Sequence, residues 1–122
     1  MQQALPAIVL LAHGSRDPLW RAPIEAVAAQ ITGRPVRCAY LELCAPSLAE
    51  AVRQLVAEGA AHVTVAPLFL GMGKHAREDL PRLVAQLRAE HPGVAFHVQP
   101  AMGEDARVVR LLAHIAAEAP NS

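Results

Sequence analysis

The sequence is poor in most of the features that mark a specialised exterior, and each shortage removes a class of function. There are two cysteines, Cys38 and Cys44, without CxxC spacing. That argues against a disulfide scaffold or zinc knuckle and leaves them as buried thiols. Net charge of either sign is lacking too: 11 Lys and Arg balance 11 Asp and Glu, so nothing supports non-specific nucleic-acid binding. The six histidines, which titrate near neutrality, are the one reserve of further positive charge. No apolar run approaches the ~20 residues of a membrane span. The start, Met1-Gln2-Gln3-Ala4-Leu5-Pro6, lacks the basic segment of a signal peptide. A cytoplasmic protein without membrane or nucleic-acid partners is expected. Linkers, repeats and low-complexity tracts are absent as well. What remains is 122 residues, 53% apolar and 18% charged, enough for one domain over 1–122 with its core at about 7–118.

The apolar residues alternate between two periodicities. Ala7–Ala12 is a continuous apolar run, the mark of a strand buried on both faces. A helix is expected over Leu19–Ile31, where Ile24, Val27, Ala28 and Ile31 recur at helical spacing. Val36–Leu43 reads as a second strand. Ser47-Leu48-Ala49-Glu50 is a capping box opening a helix with Leu48, Val52, Leu55 and Val56 on one stripe, up to Gly59. His62–Leu70 reads as a third strand. A helix is expected to open at Asp79, with Pro81 in its first turn and Pro92-Gly93 as its stop. Val94–Val98 makes a fourth strand, and Asp105 starts a last helix bearing Val108, Leu111, Leu112 and Ile115. Four successive βα units predict an α/β fold, a four-stranded parallel sheet flanked by helices on both faces.

The chemically capable residues fall at one place in that scheme. His13 ends the first strand, Glu42 lies near the end of the second, and His75 follows the third in the loop Leu70-Gly71-Met72-Gly73-Lys74-His75. Open α/β sheets bind ligands at the carboxyl ends of their strands. Neighbouring strands lie ~4.8 Å apart, so three adjacent ends fall within ~10 Å. Two imidazoles and a carboxylate are therefore expected to converge, a donor set that suits a divalent transition metal. Other sites fare worse. Gly71-Met72-Gly73-Lys74 is not a phosphate loop, since Leu68 stands where its first glycine belongs and His75 replaces Ser or Thr. Ser15 lacks the GxSxG setting of a hydrolase nucleophile. His62, His91, His97 and His114 are expected to be structural, and Trp20 to lie in the core or at a dimer edge.

Three segments resemble motifs of the class II tetrapyrrole chelatases, the sirohydrochlorin cobalt- and ferrochelatases. They are Leu11-Ala12-His13-Gly14-Ser15-Arg16-Asp17-Pro18, then Tyr40-Leu41-Glu42-Leu43-Cys44-Ala45-Pro46-Ser47, then Pro67-Leu68-Phe69-Leu70-Gly71-Met72-Gly73-Lys74-His75 continuing to Asp79-Leu80-Pro81. Their order and spacing agree over about residues 7 to 115. The resemblance implies that His13 and His75 bind the metal with Glu42 assisting, and that His13, Glu42 and His75 form the catalytic set. Arg16, Gly71, Met72, Gly73, Lys74 and Arg77 would contact the substrate, the cations by pairing with its carboxylates. It implies no permanently bound cofactor: the ion, cobalt first with nickel or iron as alternatives, is a substrate inserted into sirohydrochlorin. Longer members carry two such domains around a cleft. This chain has one set of motifs and resembles the small cobaltochelatase form, expected to rebuild the cleft as a homodimer. The residue types leave open which group takes the ring protons. They also leave open a carrier that holds metal or tetrapyrrole without turnover.

Overall fold

The computed structural model describes residues 5–120. Strands β1 (Ala7–Ala12), β2 (Val36–Tyr40), β3 (His62–Pro67) and β4 (Ala95–Val98) form one sheet in the order β2-β1-β3-β4, with every pairing parallel. The helices are α1 (Ala22–Gln30), α2 (Leu48–Ala57), α3 (Lys74–Glu90) and α4 (Ala106–Ala116), and the stretches Pro18–Arg21 and Met102–Glu104 are short 3-10 turns.

The order of the strands dictates where the helices lie. Right-handed crossovers place α1 on one face, as the chain steps from β1 to β2, and α2 and α3 on the other, as it steps back through β3 to β4. The core sits under α2 and α3. There Val9 and Leu11 of β1 and Val63 and Val65 of β3 meet Val52 and Leu55 of α2 and Val84 and Leu87 of α3, all buried. The expected α/β sheet with helices on both faces is present.

Local chemistry explains the helix ends. The Ser47–Glu50 capping box forms as read: the Glu50 amide donates to Ser47 Oγ at 3.2 Å, and the Ser47 amide to Glu50 Oε1 at 3.1 Å. Those bonds hold the Glu50 carboxyl below its usual range. Asp105 caps α4 and also binds the Arg107 guanidinium, which brings its carboxyl down to about 2.

Several boundaries differ from the expectation. β2 ends at Tyr40 and β3 at Pro67, so Glu42 and Leu70 lie beyond the strands. The helix expected to begin at Leu19 is broken into the turn Pro18–Arg21 and α1. The largest correction concerns α3, which begins at Lys74 and not at Asp79, and contains Pro81 in its interior. A proline there removes one backbone donor and crowds the carbonyl four residues back. Both Pro81 and Arg77 are exposed, so the carbonyl left without that donor lies on the solvent side. His75 consequently stands in the first turn of a helix instead of in a loop.

Candidate metal and substrate site

His13 and Glu42 are held opposite each other by backbone before any side-chain contact is made. The β1–β2 ladder continues past the strands, with the Leu41 amide donating to the Ala12 carbonyl at 3.0 Å and the Glu42 amide to the His13 carbonyl at 3.1 Å. Gly14 permits this closeness. It has φ +113, and a Cβ there would stand 1.8 Å from the Glu42 carbonyl oxygen. The loop beyond is compact, with Leu43 at φ 70, a cis peptide between Ala45 and Pro46, and the Cys44 amide bonded to the Glu42 carbonyl at 2.9 Å.

The side chains follow. His13 Nε2 lies 3.3 Å from Glu42 Oε1, with the two side chains 62% and 57% exposed, so the pair is open to an incoming ion. The Phe69 ring and the His13 imidazole meet edge to face, with centroids 6.3 Å apart and planes at 77°. His75 reaches the same space from the first turn of α3. A cavity of 340 Å³ is lined by His13, Leu41, Glu42, His75, Ala76, Asp79 and Leu83. A second, of 260 Å³, shares His13, His75 and Ala76 and adds Phe69, Gly71, Met72, Gly73 and Lys74. His13 and His75 thus stand at the junction of two adjoining hollows at the carboxyl edge of the sheet. Among the described residues, no three His, Cys, Asp or Glu side chains are already drawn into a metal-sized cluster. The arrangement is a carboxylate–imidazole pair and a second imidazole lining one hollow.

Of the residues expected to meet substrate, Gly71, Met72, Gly73 and Lys74 line the second hollow. Arg16 is exposed three residues past His13 and lines neither hollow. Arg77 lies on a neighbouring groove of 450 Å³ between α3 and β4, whose floor includes Leu80, Val84, Phe96 and Val98 and which Met72 joins to the second hollow. Gly73 is the N-cap of α3 and offers no side-chain cap. The first amides of that helix are thus free for an acidic group beside His75. Asp79 was missed as a site residue. It lies four residues after His75 on the same helix face, lines the first hollow and binds Arg82 at 2.8 Å. The spacing was visible in the sequence, but starting the helix at Asp79 hid it.

The remaining histidines stand apart from the hollows. His62 begins β3, His91 caps the end of α3, His97 lies on β4 and His114 in the last turn of α4. Trp20 is half-buried against Tyr40, with ring centroids 6.0 Å apart.

The described chain is a small parallel α/β domain that carries two imidazoles and a carboxylate along one carboxyl edge. The family model CbiX matches residues 7–119, and the chain belongs to that family. It is 34% identical over 82 residues to a sirohydrochlorin cobaltochelatase of Methanopyrus kandleri, a match covering 64% of this chain and 57% of that protein. The chain therefore accounts for little more than half the length of that relative. Among solved structures it is similar to a putative cobalamin (vitamin B12) biosynthesis CbiX protein from Marinobacter aquaeolei. The TM-score is 0.81 at 34% identity, over 92% of this chain and 94% of that one. It is also similar to SirB from Bacillus subtilis with Fe3+, with a TM-score of 0.78 at 28% identity over 94% of this chain and 48% of that one.

Proposed function

We propose that the protein is a sirohydrochlorin chelatase that inserts a divalent ion, cobalt first, into the tetrapyrrole, working as a homodimer in the cytoplasm. One observation carries the reading: the His13–Glu42 pair and His75 line a single open hollow in a chain of the CbiX family. Insertion exchanges the ion's waters for four ring nitrogens and releases two pyrrole protons. Neutral imidazoles bind such an ion without burying it among charges, and one not occupied by the ion can serve as a general base. His13 and His75 hold the ion in this reading. Glu42 supplies negative charge and, through its contact with His13, orients that imidazole. Lys74 and the free amides of the first turn of α3 receive ring carboxylates, with Arg16 and Arg77 reaching others. Cobalt is favoured by the cobaltochelatase relative, and the SirB structure with Fe3+ keeps iron as the rival ion.

The test is an anaerobic absorbance assay with limiting protein, excess sirohydrochlorin and Co²⁺, Ni²⁺ or Fe²⁺ offered separately, after subtraction of the uncatalysed rate. Many turnovers per site with one ion establish the chelatase and rank its metals. Stoichiometric binding of ion or tetrapyrrole without turnover overturns it in favour of a carrier.

A further inference from the structure

The two hollows differ in the sign of their charge. The first, of 340 Å³, has Glu42 and Asp79 as its charged lining residues and no Lys or Arg. The second, of 260 Å³, has Lys74 alone. His13, His75 and Ala76 line both, so both hollows open on the same two imidazoles. A cleft lined by one sign of charge concentrates ions of the other. The lining therefore sorts the two substrates of insertion: a divalent cation is drawn to the first hollow and an acidic tetrapyrrole to the second.

Asp79 lies outside the ligand set of His13, Glu42 and His75, yet its place on α3 suits it to meet the ion. It stands four residues after His75 and four before Leu83, and all three line the first hollow from one face of the helix. Side chains at that spacing are neighbours, and two donors so placed on a helix can grip one ion. Among the described residues, Arg82 is the only partner of the Asp79 carboxylate, with Nη2 donating to Oδ1 at 2.8 Å. The pair is open to water, with the Arg82 side chain 67% and the Asp79 side chain 51% exposed, and Arg82 does not line the hollow. Such a pair is weak, so a dication can displace the guanidinium.

We propose that Asp79 and His75 are the entry station for the ion. The pair takes a hydrated dication from solvent into the first hollow, and His75 then passes it to His13 and Glu42. Only metal–ligand bonds are made and broken, and displaced waters return to solvent. His75 belongs to both ligand sets, so the ion stays on one imidazole while it exchanges the Asp79 carboxylate for that of Glu42. Two protein ligands, fewer than a lasting site has, leave the ion hydrated and free to move on. Arg82 is the latch that reclaims Asp79 once the ion has left. The inference rests on the ion's being a substrate, as in the proposed function, but its test needs no tetrapyrrole.

Co²⁺ alone is titrated into His13→Ala protein, where the ion has no His13 to pass to, and affinity is read by NMR from paramagnetic broadening around His75. Asp79→Asn in that background should weaken binding by about 10-fold or more, and Asp79→Glu should recover most of the loss. Arg82→Gln removes the competitor for the carboxylate and should tighten binding by about 2- to 5-fold. The opposite signs decide the matter, because an ion pair that merely braces α3 would weaken binding whichever partner is removed. Absence of Co²⁺ binding in the His13→Ala background overturns the proposal. So does an Asp79→Asn protein that binds as before, or an Arg82→Gln protein that binds no tighter. If the opposite signs appear while the absorbance assay shows no turnover, the station stands and the chelatase reading falls. Turnover by the parent with no effect of Asp79→Asn on Co²⁺ binding is the reverse.

Discussion

Gly14→Ala tests the link between backbone packing and the site. The added Cβ would stand 1.8 Å from the Glu42 carbonyl oxygen, against the 3.4 Å at which ordinary contact begins. Glu42 must therefore retreat by about 1.6 Å, or the His13–Gly14 turn must open by as much. Forcing a side chain onto φ +113 adds backbone strain of about 1–3 kcal/mol, and overpacking adds about 1–3 kcal/mol more. With partial relaxation of the exposed Glu42 loop, a loss of about 2–4 kcal/mol is expected. Urea unfolding measures it. The same displacement separates His13 Nε2 from Glu42 Oε1, now 3.3 Å apart, and a misplacement of about 1 Å costs roughly 100-fold in rate. Gly33→Ala is the control: Gly33 also has positive φ, at +82, but nothing lies within 4 Å of its Cβ position. It should show the strain alone and leave insertion unchanged. If Gly14→Ala is no less stable than Gly33→Ala and inserts metal at the parent's rate, the close approach does not hold the site and the reasoning fails.

Other expectations follow from the same geometry. His13→Ala and His75→Ala should each lower metal insertion by more than about 100-fold, beyond the range seen for outer-shell partners, with unchanged circular dichroism. Near-parent turnover in either variant removes that imidazole from the ligand set. Leu55→Ala, at a fully buried position where α2 packs on β1 and β2, should cost about 2–5 kcal/mol in denaturant unfolding. A loss below about 1 kcal/mol would place the core elsewhere. Asp105 is depressed from 3.8 to about 2, chiefly by its hydrogen bonds with Arg107, so its ionised form is favoured in the folded chain. That contribution is fully present above about pH 4 and disappears as pH falls through about 2. The gap in α4 helicity between the parent and Asp105→Ala should therefore close across that window. A gap equally wide at pH 2 and pH 7 would refute the assignment.

The first strand was legible because a strand buried on both faces needs an unbroken apolar run, and Ala7–Ala12 is too short, and too closely followed by Gly14 and Pro18, to be a buried helix. The Ser47–Glu50 box was legible for a similar reason: both hydrogen bonds lie within four residues. The start of α3 was not. Pro81 carries a strong local preference for a first turn, and packing of Leu80, Val84 and Leu87 on the sheet outweighs it. With that boundary went the position of Asp79 one turn from His75.

The sequence by itself determined a parallel α/β sheet and the edge on which His13, Glu42 and His75 stand, because period and order are local properties of the chain. Only the tertiary structure decided how they meet. The His13–Glu42 contact depends on a ladder extended past two strands and on a glycine pressed against a distant carbonyl. The same holds for α4, whose apolar stripe reads as a covering helix while Leu111, Leu112 and Ile115 stay exposed. Periodicity says that a face must be covered, and only the arrangement in space says by what.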